Sequence, residues 1–242
     1  MGARLTSDAI VLRRAEYGDY DRMLTLFSPT HGRIDAIARG SRRTKSPLLG
    51  ATELMAYGEY ELSEHGGRWS VTRCTVRENF QEIRYDVDRL THAGYCLSLC
   101  DAAALPGEPN QAVFVLLYKA LAHLSYTQLP TALLSSAFEM RYMPLMGYLP
   151  VMDRCVLCGA PIDGDCRFDA DRGGAICLAC KSSAPRISNG ARRIILRAAQ
   201  TDYNLVCKLD GHPDWPEAAR RYRPFVLSRI DRRIHIEPDL PG

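Results

Sequence analysis

At 242 residues and 46% hydrophobic composition, the chain is long enough to bury a sizeable core, and length alone suggests one to three domains. Its 31 basic and 28 acidic residues nearly cancel to a net charge of +3, so bulk charge by itself selects no partner. The opening MGARLTSDAIVL has no apolar run of the export-signal kind, and the longest apolar stretch, residues 112–118, is far too short to cross a bilayer. Export and membrane association are therefore not expected, and the reading is cytoplasmic.

The distribution of charge says more than its sum. Residues 1–45 hold nine basic and five acidic residues and residues 186–242 hold eleven and seven, a balance of +4 at each end, whereas residues 81–154 hold five and seven, a balance of −2. The two ends suit a polyanion and the middle does not.

In chain order, the first eighty residues read as strands. AIVLRR, RMLTLF and RIDAIA are separated by turn residues such as Ser28-Pro29-Thr30-His31-Gly32, and ELMAYGEYEL and RWSVTRCTV flank His65-Gly66-Gly67. Five short strands and no long helix in about eighty residues suggest a small barrel or sandwich, with a five-stranded barrel of the oligonucleotide-binding (OB) type as the natural candidate. From about Phe80 the apolar spacing becomes helical through RLTHAGYCLSLCDAAAL, QAVFVLLYKALAHL and TALLSSAFEMRYMPLMG. Asn110 and Thr131 are expected N-caps, Gly147 a C-terminal stop, and Pro144 a residue that kinks or shortens the last of these helices. SNGARRIILRAAQ and PEAARRYRPFVLSRIDRRI resume helical periodicity, with Ser188 as a cap, Pro216 in a first turn, and Pro224 expected to kink or split the final helix.

Between the helical stretches stands CVLCGAPIDGDCRFDADRGGAICLAC, two Cys-x-x-Cys pairs with eighteen residues between them. Each pair offers two thiolates from one tight turn, and two turns complete a tetrahedron, so Cys155, Cys158, Cys177 and Cys180 are predicted to hold one zinc ion. CRFDADRGGAIC reads as a hairpin turning at Asp171-Arg172-Gly173-Gly174, the build of a zinc ribbon. Four protein ligands leave no open position, which makes the metal structural rather than catalytic. Cys166 offers a substitute ligand at a less regular spacing. Asp163, Asp165, Asp169 and Asp171 read as a solvated acidic loop, since Arg167 interrupts any calcium pattern and no terminal Glu follows. Cys96, Cys100, Cys74 and Cys207 read as core thiols, and nine cysteines cannot all pair internally.

Two basic constellations stand out. Arg39, Arg42, Arg43 and Lys45 surround Gly40-Ser41 at the exit of the third strand, where an OB-type barrel carries nucleic acid. Tyr17, Tyr20, Phe27, Tyr57 and Trp69 are the nearby aromatics, with core packing as the competing role for each. Arg229, Arg232 and Arg233 share a helical face, Arg193 and Arg197 are four apart, and Arg220 and Arg221 add to that set. There is no Gly-Lys dipeptide and hence no Walker A loop, no H-E-x-x-H, no G-x-S-x-G and no dinucleotide fingerprint, and the six histidines are scattered. The sequence asks for neither an enzyme nor a nucleotide.

This order of parts resembles the RecO family of bacterial DNA repair and recombination proteins. The resemblance is carried by AIVLRRAEYGDYDRMLTLFSPTHGRIDAIARGSRRTKSPLLG and FEMRYMPLMGYLPVMDRCVLCG. It implies a non-enzymatic recombination mediator, associated with the nucleoid, that binds single- and double-stranded DNA and anneals complementary strands. It further implies that the protein acts with RecR, and on the tail of the single-stranded DNA-binding protein (SSB), to load RecA. The expected fold is a multidomain α+β protein: an OB-type barrel over residues 1–80, a helical body over 81–154 and 186–242, and an inserted zinc ribbon over 155–185. The departure from the family is Pro224, in a segment the family keeps as an uninterrupted basic helix. An adaptor docking protein partners through the helical body, and an RNA-binding barrel protein, are the competing readings; gel shift with single-stranded DNA and RNA-against-DNA competition separate them.

Overall fold

The structure, a computed structural model, describes residues 2–230, 234 and 238–240. Residues 1–126 and 127–242 form two compact units.

The first unit is built on a closed barrel of β1 (Arg4–Tyr17), β2 (Asp21–Ser28), β3 (Gly32–Ala38), β4 (Tyr57–His65) and β5 (Arg68–Glu78), in the order β1-β2-β3-β5-β4. Neighbours are antiparallel except β3 and β5, which run parallel with Ala36 opposite Trp69 and Ile37 opposite Ser70. A strand alternates its side chains between two faces, so Ile34, Ala36 and Ala38 of β3 enter the barrel with Ala9, Val11, Leu24, Leu26, Leu62 and Val71. The interior of a five-stranded barrel is narrow, and alanines fill it where larger side chains would not fit. Tyr60 is buried there, and its hydroxyl donates to the Ala51 carbonyl at 2.7 Å, which satisfies the phenol.

The fourth strand begins at Tyr57 rather than at Glu53, where the sequence suggested. Met55 takes a left-handed φ of 69°, and its backbone N–H turns inward to the Val11 carbonyl at 3.0 Å. Residues 39–56 thus form an excursion between β3 and β4, with a short 3-10 turn at Gly50–Thr52.

Three helices complete this unit: α1 (Gln81–Arg84), α2 (Val87–Ala103) and α3 (Gln111–Tyr126). The Asp86 carboxylate caps α2 by accepting from the N–H groups of Asp88 and Arg89. The expected cap of α3 is present, with Asn110 Oδ1 accepting from the Val113 N–H at 3.1 Å. Helix α3 covers the barrel by rings: Phe114 lies 5.9 Å from Phe27 and 6.0 Å from Tyr57, and Tyr118 lies 5.3 Å from Tyr57, centre to centre.

The second unit is arranged around α4 (Thr131–Leu145), most of whose side chains are buried. Thr131 is its first helical residue and not its cap; Pro130 precedes it and offers no side-chain acceptor. Gly147 does end the helix, with its N–H on the Pro144 carbonyl at 3.0 Å. Next come a small sheet of β6 (Cys166–Asp169), β7 (Gly174–Ile176) and β8 (Arg186–Ile187) in the order β7-β6-β8, and then α5 (Asn189–Ala198), α6 (Tyr203–Val206) and α7 (Trp215–Leu227). Ser188 caps α5 through the Ala191 N–H at 3.2 Å.

Pro224 does not split the last helix. Helix α7 runs through it: the proline removes one N–H, its own carbonyl accepts from the Ser228 N–H at 3.0 Å, and buried Tyr222, Phe225 and Val226 anchor the helix on both sides. Named polar contacts hold the core of this unit together. Trp215 Nε1 donates to Ser136 Oγ at 3.0 Å, the Tyr203 hydroxyl to the Leu134 carbonyl at 2.9 Å, and Arg192 to the Met152 carbonyl at 2.8 Å. Glu139, fully buried, pairs with Arg223, which also donates to the Pro238 carbonyl at 2.9 Å.

Candidate metal centre and nucleic-acid interface

Cys155, Cys158, Cys177 and Cys180 come together with their sulfurs all within 4.8 Å of one another. The Cys155–Cys180 separation is 3.9 Å and the Cys158–Cys177 separation 3.7 Å. Four sulfurs about 2.3 Å from a central zinc stand about 3.8 Å apart in a tetrahedron, so the cluster has the size that such an ion requires. The first turn is shaped for this. The Leu157 N–H donates to Cys155 Sγ at 3.4 Å, and the Gly159 N–H closes the loop on the Cys155 carbonyl at 2.9 Å. Burial opposes the charge on Cys155, yet hydrogen bonds from the backbones of Cys177, Cys158 and Leu157 bring its thiol down to about 6 and favour the ligating thiolate. Cys166 lies outside the cluster; it is buried, and burial pushes its thiol up to about 11. Cys96, Cys100 and Cys207 are buried core thiols, and Cys74 is half-buried against the barrel core.

Arginines of α7 and of the turn after it engage the ribbon. Arg229 lies flat on the Phe225 ring, 3.8 Å from its centre, and donates to the Ala170 carbonyl at 2.7 Å. Gly173, at φ 72°, leaves room for this guanidinium: a Cβ there would collide with Arg229 Nη2. Arg221 is likewise engaged, with Nε donating to the Arg186 carbonyl at 2.8 Å. Arg220 and Arg221 line a groove of about 290 Å³ against Asp169, Asp171 and Pro185. Arg193 and Arg197 are exposed on the outward side of α5. Arg232 and Arg233 lie outside the described residues.

The barrel presents a second constellation. Because Ile34, Ala36 and Ala38 point inward, Arg33, Asp35, Ile37 and Arg39 stand on the outer face. Strand register sorts that face into rows: Ala15 beside Met23 beside Ile37 beside Ser70, and Arg13 beside Thr25 beside Asp35. The second row is sealed onto α2. Arg33 bonds Asp35 at 3.0 Å and Asp101 at 2.9 Å, Arg13 reaches Asp101 at 3.4 Å, and Thr25 donates to Asp35 at 2.8 Å. Burial works against the Asp35 charge, but hydrogen bonds from Arg33 and Thr25 hold its carboxyl below the ordinary range.

The first row is open. Ala15 is exposed and Met23 and Ile37 half-exposed, and the basic loop sits at its edge. That loop is tied to the tip of the β1–β2 hairpin: the Gly40 N–H donates to Asp21 at 2.7 Å and the Arg42 N–H to the Tyr20 carbonyl at 2.9 Å. Arg39, Arg43 and Lys45 are exposed. Arg42 is half-buried, and its guanidinium pairs with Glu16 at 3.0 Å. On the far side of the loop Glu53 gathers Arg14, Arg22 and Arg84, which fixes the excursion. Burial opposes the Glu53 charge, and these arginines hold its carboxyl below its ordinary value.

The structure therefore leaves Arg39, Arg43 and Lys45 exposed in the loop that follows β3, while Arg42 is paired with Glu16. Ala15, Met23 and Ile37 share the open row and were missed in the sequence, because their outward direction follows only from the strand register. Phe27 and Tyr57 are covered by α3, and Trp69 packs against the barrel core.

A closed five-stranded barrel, helices and a four-cysteine cluster able to hold a metal define an α+β protein, and the comparisons with known proteins give its family. The family model "Recombination protein O N terminal" matches residues 1–80 and "Recombination protein O C terminal" matches residues 84–222. A DNA repair protein RecO from Alkaliphilus metalliredigens is 34% identical over 232 residues, 94% of each chain. RecO proteins from Moorella thermoacetica, at 30% over 94% of this chain and 87% of that one, and from an Anaeromyxobacter species, at 33% over 96% and 92%, are similar in the same way. The chain belongs to the RecO family of DNA repair proteins. No helix among the described residues is long and apolar enough to cross a membrane.

Proposed function

We propose that this protein is a non-catalytic recombination mediator that binds single- and double-stranded DNA without sequence preference and anneals complementary strands. In this reading it acts with RecR to help RecA replace SSB on single strands, with the SSB tail as a docking partner. Family membership supports the class of activity. The observation that carries the DNA reading is the open row Ala15–Met23–Ile37 with Arg39, Arg43 and Lys45 fixed at its edge.

The mechanism needs no bond chemistry. Guanidinium and ammonium groups neutralise phosphates and release their counterions, while the apolar row accepts bases without reading their edges. Annealing follows where a basic surface lowers the repulsion between two strands held against it. Arg193, Arg197, Arg220 and Arg221 supply further phosphate contacts in this reading, and Arg229 serves the ribbon instead. The four-cysteine cluster holds one structural zinc ion, which ties the ribbon hairpin to its neighbouring turns.

Replacing Arg39, Arg42 and Arg43 by Ala is expected to weaken binding to a single-stranded oligonucleotide and to flatten the dependence of affinity on salt. Each lost contact removes about 0.7 from the log–log slope, and Arg42 removes less than the other two. A slope unchanged by the triple substitution removes the barrel loop from the interface.

A further inference from the structure

We propose that Tyr17 and Tyr20, at the tip of the β1–β2 hairpin, form a base-stacking platform that adds affinity for single strands and not for duplex. This rests on the DNA reading given above and goes beyond it, since that reading assigns only charges and an apolar row.

The barrel strands and the β1–β2 tip carry six aromatic side chains, and four of them are taken up by packing within the unit. Phe27 and Tyr57 meet the rings of α3, Tyr60 fills the interior, and Trp69 packs against the core. Tyr17 and Tyr20 are left 50% and 52% exposed. Tyr17 pairs with Asp21 at the end of the ladder, two residues beyond Ala15 and so on the same outer face. Tyr20 lies in the turn, with the Arg43 guanidinium over its ring at 5.1 Å.

The backbone that carries both rings is tied to the basic loop. The Tyr20 carbonyl and the Asp21 carboxylate accept from the Arg42 and Gly40 backbones, so the hairpin tip and the loop stay side by side. The tip itself carries Glu16, Asp19 and Asp21 beside the two tyrosines. Arg42 pairs with Glu16 and Arg43 stands over Tyr20, so the tip is of mixed charge, and what it adds to the basic loop is exposed ring surface. A duplex has its bases already stacked and offers no free face, whereas a single strand does.

The test compares the full-length protein with Tyr17→Ala/Tyr20→Ala and Tyr17→Phe/Tyr20→Phe variants, binding a homothymidine oligonucleotide and a duplex of equal length across a salt series. The Ala pair is expected to lose about tenfold or more in single-strand affinity, with duplex affinity within about twofold and the salt slope unchanged. The Phe pair keeps single-strand affinity, because stacking uses the ring and not the hydroxyl. Unchanged single-strand affinity in the Ala pair, equal losses for both DNA forms, or failure of the Phe pair to retain binding would each overturn the platform while leaving the charge-based site in place. Wild-type protein that binds neither DNA form overturns the underlying DNA reading as well. Trp69 emission and circular dichroism matching wild type show that the variants are folded.

Discussion

The barrel and the ribbon-bearing unit differ in what they add to a buried apolar core. In the barrel every strand has two neighbours, and many small apolar side chains share the interior, so no one atom decides the outcome. The second unit also buries an apolar core, around Phe138, Tyr142, Ile195 and Phe225, and adds particular contacts to it: four clustered thiols, the Glu139–Arg223 pair, and Arg229 laid into the space above Gly173. Distributed burial tolerates single changes, whereas point-like contacts do not. The two tryptophans, Trp69 in the barrel and Trp215 under α4, allow each unit to be followed separately in single-tryptophan variants.

The largest effect is expected from the metal. A structural zinc ion contributes about 10–16 kcal/mol of binding free energy in small domains, so a Cys177→Ser, Cys180→Ser variant should lose its zinc and loosen the unit that Trp215 reports, with the Trp69 transition unmoved. One zinc per wild-type chain by metal analysis is the matching result; no zinc in the wild type would remove the brace from the comparison. Acid should release the metal as protons compete for the thiolates.

Next comes Arg223→Ala, which removes the arginine paired with the fully buried Glu139 carboxylate. Removing one partner of such a pair costs about 3–5 kcal/mol, to be read from urea unfolding followed at Trp215. Gly173→Ala sets a Cβ against Arg229 at a φ that L residues avoid, a penalty of about 1–3 kcal/mol visible in the same transition. If either substitution shifts the Trp69 transition as much as the Trp215 transition, the division between the units is wrong.

The smallest effect is acid weakening of the barrel. In the fold the Glu53 carboxyl lies below its ordinary 4.5 and the Asp35 carboxyl below its ordinary 3.8, so the unfolded chain binds more protons in that range. Their contribution is complete above about pH 4.5 and is lost as pH falls through the lowered values. A pH series of unfolding midpoints at Trp69 checks this decline.

Much of this was legible beforehand, for reasons particular to each part. The strands showed because β3 alternates Ile34, Ala36 and Ala38 with exposed partners, and the metal cluster showed because Cys-x-x-Cys fixes two ligands in one turn. Of the two effects expected of Pro224, a kink or a split, the split does not occur, because Tyr222, Phe225 and Val226 are buried on either side of it and anchor the helix. The roles of the arginines were the least legible. Arg39 and Arg229 carry the same charge, yet one stands on an open face and the other lies on Phe225 beneath the Ala170 carbonyl. Only the fold tells a guanidinium that stands open to solvent from one engaged by its own chain.

That distinction is the central claim, and a single salt titration of single-stranded DNA binding tests it. Arg39→Ala/Arg43→Ala should reduce the log–log salt slope by about 1.4, two contacts at about 0.7 each, while Arg229→Ala leaves the slope at its wild-type value. A slope lowered by Arg229→Ala and untouched by the barrel pair would contradict the account.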